Sequence, residues 1–204
     1  MNLADNDYHF ITTWRVPSTV EEITAILGNA PDLARWWPSV YLEVTELAPG
    51  DPATGLGREV GLFTKGWLPY TLRWQFTVTD VRPGSFRLDA RGDFNGRGIW
   101  TLTQDGPEVV VTYDWWVRAD KPLLRDLSFI MKPLFSANHH WAMRQGERSL
   151  LLELARRHSR SAAERAVIPA PPGPTRWWPA PALLLAGAVV MGVYALTRRK
   201  RRGA

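Results

Sequence analysis

The feature that most restricts this chain is a run of short segments with period-two hydrophobicity. Tyr8 to Val16 places Tyr8, Phe10, Thr12, Trp14 and Val16 on one side and His9, Ile11, Thr13 and Arg15 on the other. Side chains that alternate in this way belong to a strand with one face turned to a core. Six more such segments follow, at Val40 to Leu47, Arg58 to Lys65, Tyr70 to Val81, Ser85 to Asp93, Gly98 to Gln104 and Glu108 to Ala119. Turn residues separate them, at Pro49-Gly50-Asp51-Pro52, Gly66, Pro83-Gly84, Asn95-Gly96 and Asp105-Gly106-Pro107. Parallel neighbours need crossovers of a dozen residues or more, so spacers this short predict an antiparallel meander.

Helical periodicity brackets the meander. Pro17 ends the first strand, Ser18 with Glu21 three residues on forms a capping pair, and Val20, Ile23, Ile26 and Leu27 recur at helical spacing up to Gly28. Asn29 to Asp32 reads as a turn, and Leu33 to Trp37 supplies one further helical turn before Pro38. After Pro122, Leu123 to Arg157 is helical in period, with Leu127, Ile130, Met131, Leu134, Phe135, Met143, Leu150, Leu151 and Leu154 forming an apolar stripe and Pro133 marking a kink. The order predicts an α+β fold in which a long terminal helix lies against one antiparallel sheet.

The formal net charge of +5 raises the question of nucleic acid. Six of the 25 basic residues, Arg176 and Arg198 to Arg202, lie at the end of the chain, which leaves residues 1 to 175 with 19 basic against 20 acidic groups. The folded part therefore has no positive excess to offer phosphates, and no nucleic-acid partner is expected. The absence of cysteine excludes disulfides, thiol nucleophiles and thiolate metal sites.

From Trp177 to Thr197 no residue is charged, and Leu183 to Leu196 is almost wholly apolar. A helix of roughly 20 residues spans about 30 Å, the thickness of a hydrocarbon core. Trp177 and Trp178 stand where an interfacial belt would, and Arg198 to Arg202 follow the far end. The expected organisation is a domain over residues 1–158, a proline-rich linker over 159–176, a single transmembrane helix over 177–197 and a basic tail over 198–204. Met1 to Phe10 lacks the pattern of a secretory signal, so a domain on the cytoplasmic side of the membrane is expected.

The opening strand YHFITTWRV, the stretch AILGNAPDLARWWPSV with its Trp-Trp-Pro turn, and NHHWAMRQGERSLLLEL of the last helix resemble the START-like (SRPBCC) superfamily, in its polyketide cyclase/dehydrase branch. The resemblance covers about residues 7–158. It implies a helix-grip fold, a curved antiparallel sheet wrapped around the long C-terminal helix, enclosing a hydrophobic ligand cavity. Such folds host lipid carriers, hormone receptors and aromatase/cyclases alike, so the resemblance speaks to fold more than to activity.

If one face of each strand lines that cavity, alternation nominates Trp14, Leu62, Trp74, Phe76, Phe94, Trp100, Tyr113 and Trp115. The family's last helix forms one wall, which adds Asn138, His139 and His140. Histidine there could serve as acid or base. Adjacent helical residues point about 100° apart, so the two histidines cannot share a metal, and no HExxH, GxSxG or P-loop spacing occurs. No cofactor or metal is expected. Arg73, Arg91, Asp93 and Arg97 read as charges on the solvent face of the strands, and Arg144, Glu147 and Arg148 as a solvated helix face. Three functions remain open: a membrane-tethered module that binds a lipid or other hydrophobic small molecule, an enzyme of the cyclase/dehydrase type, or an interaction protein whose cavity is filled by side chains.

Overall fold

A computed structural model describes residues 7–119 and 122–176 of the chain. It divides into two compact units, Met1–Pro174 and Thr175–Ala204, and of the second only Thr175 and Arg176 are described. The first unit contains β1 (Asp7–Pro17), α1 (Val20–Leu27), α2 (Leu33–Trp36), β2 (Tyr41–Ala48), β3 (Glu59–Lys65), β4 (Thr71–Arg82), β5 (Ser85–Gly92), β6 (Phe94–Asp105), β7 (Glu108–Ala119), α3 (Pro122–His158) and α4 (Ala162–Ala166).

The strands form one curved antiparallel sheet in the order β1-β7-β6-β5-β4-β3-β2. Consecutive strands from β2 to β7 pair as hairpins, and β1 closes the far edge against β7 with Trp14 opposite Val111 and Phe10 opposite Trp115. Alternation is clearest in β1, β3, β6 and β7, while bulges interrupt the register in β2 at Tyr41/Glu43 and Glu46/Ala48 and in β4 at Val78/Asp80. Val60 and Leu62 on β3, Leu72 and Phe76 on β4, Leu88 and Ala90 on β5 and the odd-numbered residues Val109 to Val117 on β7 are buried on one face. With Ile23 and Ile26 of α1, Trp36 of α2 and Leu150 and Leu154 of α3 they make a single core. This is the helix-grip α+β architecture expected from the sequence.

Charged contacts tie the helical parts together. The Glu153 carboxylate, 3% exposed on α3, accepts hydrogen bonds from both terminal nitrogens of Arg35 at 2.8 Å and from Arg157 Nε at 3.0 Å. The Arg35 fork holds this carboxyl below the ordinary carboxylate range, against a smaller upward push from burial. Glu22 of α1 meets His158 at 2.7 Å at the end of α3.

Three local expectations need correction. The helix α1 is capped by Thr19, whose hydroxyl accepts the Glu22 N–H at 3.3 Å, while Ser18 instead donates to the Glu22 carboxylate at 2.7 Å. Asn95-Gly96 is no turn. The chain reverses at Gly92-Asp93, where Gly92 has φ 122°, and Gly96 lies inside β6, where a Cβ would meet Trp116 O and lie 2.8 Å from Val117 Cα of β7. The sequence signal was that of a close strand approach rather than of a turn. The proline-rich linker expected over 159–176 also holds a short helix and a contact back to α3. Ser161 caps α4 by accepting the Glu164 N–H at 3.1 Å, and Arg156 donates to Pro169 O, which fastens the segment to the end of α3. Glu147 is half-buried and pushed up by burial while Arg144 and Arg148 are exposed, so that helix face is not uniformly solvated.

Among the described residues no helix is long and apolar enough to cross a membrane. The apolar run Trp177 to Thr197, expected to span one, lies outside the described residues, as does the basic tail.

Candidate ligand-binding cavity

The concave face of the sheet and α3 do not close completely on each other. One space of about 130 Å³ lies between the middle of α3 and the β1, β7 and β3–β4 side of the sheet, walled by Phe10, Tyr70, Trp115 and Phe135 among others. A second, of about 150 Å³, lies toward α1, with Leu33, Phe76, Phe86, Leu88 and Trp100 in its wall. Trp37, Tyr41, Trp74, Tyr113 and Met143 border both, so the two are neighbouring lobes of one cavity.

Local sequence explains why these side chains are fixed. On β7 the inward residues Tyr113 and Trp115 stack with ring centres 5.6 Å apart, and Tyr113 stacks on Trp100 of β6 at 4.1 Å. Gly98 makes room for this, since a Cβ there would lie 2.5 Å from the Tyr113 hydroxyl oxygen. Trp74 of β4 donates its indole N–H to the buried Thr64 hydroxyl at 3.0 Å. The Trp36-Trp37-Pro38 turn drives Trp37 between sheet and helix, 2% exposed, with its ring against Gly146 of α3.

The histidine and tyrosines in the walls are held uncharged. His139 lies flat on Phe10, ring centres 4.1 Å apart, with Nε2 3.4 Å from the Thr12 hydroxyl. Burial, reinforced by neighbouring His140, lowers its pKa to about 3, so it is a neutral imidazole at physiological pH. Burial likewise pushes the Tyr41, Tyr70 and Tyr113 phenols above their ordinary value. Among the described residues that line the lobes there is no carboxylate, and Lys65 and Arg58 at the borders are the charged ones. Arg58 is engaged by Gly28 O at 2.8 Å and Pro49 O at 3.2 Å. No group of three or more potential metal ligands occurs among the described residues.

The candidates named from sequence distribute unevenly. Trp74, Phe94, Tyr113, Trp115, Asn138 and His139 come together around the first lobe, and Trp74, Phe76, Trp100 and Tyr113 around the second. Trp14, 2% exposed, packs between Trp37 and Trp100 and lines neither lobe, as does Leu62. His140 is exposed, lines neither lobe, and meets Phe10 and His139 edge to face with ring centres 6.2 and 5.8 Å away. Asn138 spends its side-chain oxygen on the β3–β4 loop, accepting the Trp67 N–H at 2.9 Å and the Leu68 N–H at 3.2 Å. Arg73 and Arg97 lie over Phe63 and Trp116 on the outer face, in keeping with the solvent-face reading.

Sequence reasoning missed Trp37, Tyr41, Tyr70 and Met143. Met143 carried a usable signal, because it stands four residues after His139 and so on the same helix face. Tyr41 and Tyr70 sit just at strand starts, where alternation has no run to establish it.

Solved structures with the same fold include a protein of Thermus thermophilus at 15% identity and TM-score 0.58, covering 72% of this chain and 99% of that one. The Zhui aromatase/cyclase from Streptomyces matches at 17% identity and TM-score 0.58, with 76% and 98% covered. A START superfamily protein from Mycobacterium smegmatis matches at 15% identity and TM-score 0.53, with 70% and 98% covered. At such identities these likenesses establish the fold alone. No curated protein matches the chain by sequence. The sequence profile described as polyketide cyclase / dehydrase and lipid transport matches residues 9–150, well over half of the 204, and the chain with this cavity belongs to that family.

Proposed function

We propose that the chain is a membrane-tethered binding module that holds a lipid or other hydrophobic small molecule in the cavity between α3 and the sheet. The observation that carries this is a pair of aromatic-walled lobes in which the polar groups are mostly neutral hydroxyl, indole, amide and imidazole functions, with no carboxylate among the described lining residues and with Lys65 and Arg58 at the borders. Apolar walls with a few fixed neutral polar groups suit an uncharged ligand, because a buried charge without a partner would be strongly disfavoured. Open lobes count against the reading in which side chains fill the cavity. The tether is the apolar run Trp177 to Thr197, which would keep the domain where apolar ligands concentrate.

A second reading, a cyclase- or dehydrase-like enzyme, is favoured by one observation: neutral His139 faces the first lobe with a free-base imidazole. As a base it would take a proton weakly, since its conjugate acid is destabilised by burial. Purification of the full chain, solvent extraction and mass spectrometry of the extract test the first reading. A discrete hydrophobic compound in stoichiometric amount supports it, and a clean extract with no binding across a panel of lipids and aromatic polyketides refutes it. Sodium carbonate washing of membranes tests the tether: the full chain should stay in the pellet and residues 1–176 should leave it.

A further inference from the structure

The five residues shared by the two lobes form a partition, and four of the five are locked. Trp37 is wedged against Gly146 and meets Trp14 and Tyr41 edge to face with ring centres 5.9 and 5.2 Å away. Tyr41 is held by that contact, Trp74 by its hydrogen bond to Thr64, and Tyr113 by stacking on Trp100 and Trp115. Met143, 5% exposed on α3, is the remaining member, unbranched and able to change rotamer without breaking a hydrogen bond.

Lobe size points to what each half can take. Apolar cavities of about 150 Å³ accept one benzene-sized molecule, and the lobes measure about 130 and 150 Å³. A rigid fused ring system of three or more rings exceeds either lobe and would have to pass through the locked rings of the partition. A slender link could pass beside Met143.

Resting on the reading of the cavity as a ligand site, we infer that the two lobes are separate ring-sized subsites of one site, which takes an uncharged molecule bearing two six-membered-ring-sized apolar groups joined by a narrow flexible link, with Met143 as the residue that sets what passes between them. The chemical class is therefore a two-lobed molecule, and an extended fused polycycle is disfavoured.

The test uses the full chain in lipid nanodiscs, with the methionine methyl groups carbon-13 labelled and the Met143 signal assigned by Met143→Leu. The probes are toluene, 1,2-diphenylethane and anthracene. Val78→Phe fills the second lobe and Ala142→Leu fills the first, since each side chain borders one lobe alone. Leu88→Phe and Val40→Phe are the replacements should either variant fail to fold. Diphenylethane should move the Met143 methyl signal in the wild type and bind at least tenfold more weakly in both filled variants, because it needs both lobes. Toluene should still move the signal in each filled variant, through the lobe left open. Anthracene should leave the signal unmoved. Diphenylethane binding that survives filling of either lobe, or anthracene binding as tightly as diphenylethane, would overturn the two-subsite inference while leaving hydrophobic binding intact. If no probe moves the Met143 signal in any protein, the cavity reading falls with it.

Discussion

Replacing Gly146 by alanine tests whether the partition is as tightly built as its geometry indicates. In an open helix interior the change favours folding by about 1 kcal/mol, because glycine is the poorer helix former. In α3 the new methyl would lie 2.5 Å from Cη2 and 2.6 Å from Cε2 of Trp37. Carbon atoms sit comfortably at about 3.5–4.0 Å, and Cζ2 of Trp37 lies closer still to the new methyl, so ring or helix must move by roughly 1–2 Å. Trp37 has no free direction, being 2% exposed and bordered by Trp14, Trp36 and Tyr41. Overpacking of this kind costs about 1–3 kcal/mol, and the closeness of the contact puts it near the top of that range. After the helical gain the net loss is about 2 kcal/mol, a fall of roughly 4–8 °C in Tm for a domain of this size. With Trp37→Leu in place the obstacle is gone, and Gly146→Ala should then stabilise by up to about 1 kcal/mol. The coupling between the two sites is thus about 3 kcal/mol, the upper end for residues in contact. Equilibrium urea unfolding of residues 1–176, followed by tryptophan fluorescence across the four proteins of the cycle, measures it. Stabilisation by Gly146→Ala in the wild type, or equal destabilisation in both backgrounds, would refute the reasoning.

Other outcomes follow from the same geometry. Glu153 has its pKa lowered, chiefly by hydrogen bonds from Arg35, from a usual value of 4.5; its contribution is present above that value and lost as pH falls below it, so Glu153→Gln should lower stability at pH 7 and flatten the acid limb of a pH–stability curve. His139 is lowered from 6.5 to about 3, so the folded state binds fewer protons between these values and stability declines as pH falls through that window; His139→Phe should remove that slope, and its ring carbons in the wild type should not titrate by NMR between pH 8 and 5. Asn138→Ala removes the acceptor of two loop N–H groups, so the Trp67 and Leu68 amides should exchange hydrogen roughly tenfold faster, consistent with the loss of about 1–2 kcal/mol of local hydrogen bonding, with unchanged exchange in β7 as the control.

The fold was legible because most strands keep one face apolar along their length, β2 and β4 with their bulges being the exceptions. Glu108 to Ala119 is the clearest case, since Val109, Val111, Tyr113, Trp115 and Val117 are the buried set and the strand ends where the alternation ends. Gly96 was misread because glycine marks both a turn and a place where two backbones approach, and only the neighbouring strand tells them apart. The site was legible in part for a related reason. Alternation names which residues face inward but not whether they meet a void or another ring. Trp14 and Trp115 carry the same signal, and what separates them is Trp37, delivered across the sheet from a helix that sequence spacing cannot place. Asn138 illustrates the limit on helices: its position faces the first lobe, yet its oxygen is committed to a loop distant in sequence.

The distribution of charge and clamps bears on how a ligand would enter. Polar contacts outside the cavity fasten the far part of α3: the ion pair of Arg35 with Glu153, which Arg157 of the same helix supports, and the contact of Glu22 with His158. The partly exposed pairs contribute little each, but the Glu153 carboxylate is almost wholly buried, and removing Arg35 would leave it with Arg157 as its one described cationic partner. Near the first lobe one described fastening is Asn138, whose two neutral hydrogen bonds hold the loop that carries Tyr70. Releasing neutral bonds to a loop costs less than withdrawing a helix from a buried ion pair. Of these two described fastenings the loop's hydrogen bonds are therefore the weaker. On the two-subsite inference, passage from the first lobe to the second depends on Met143 changing rotamer, since Trp74 is held by a hydrogen bond and Tyr113 by stacked rings.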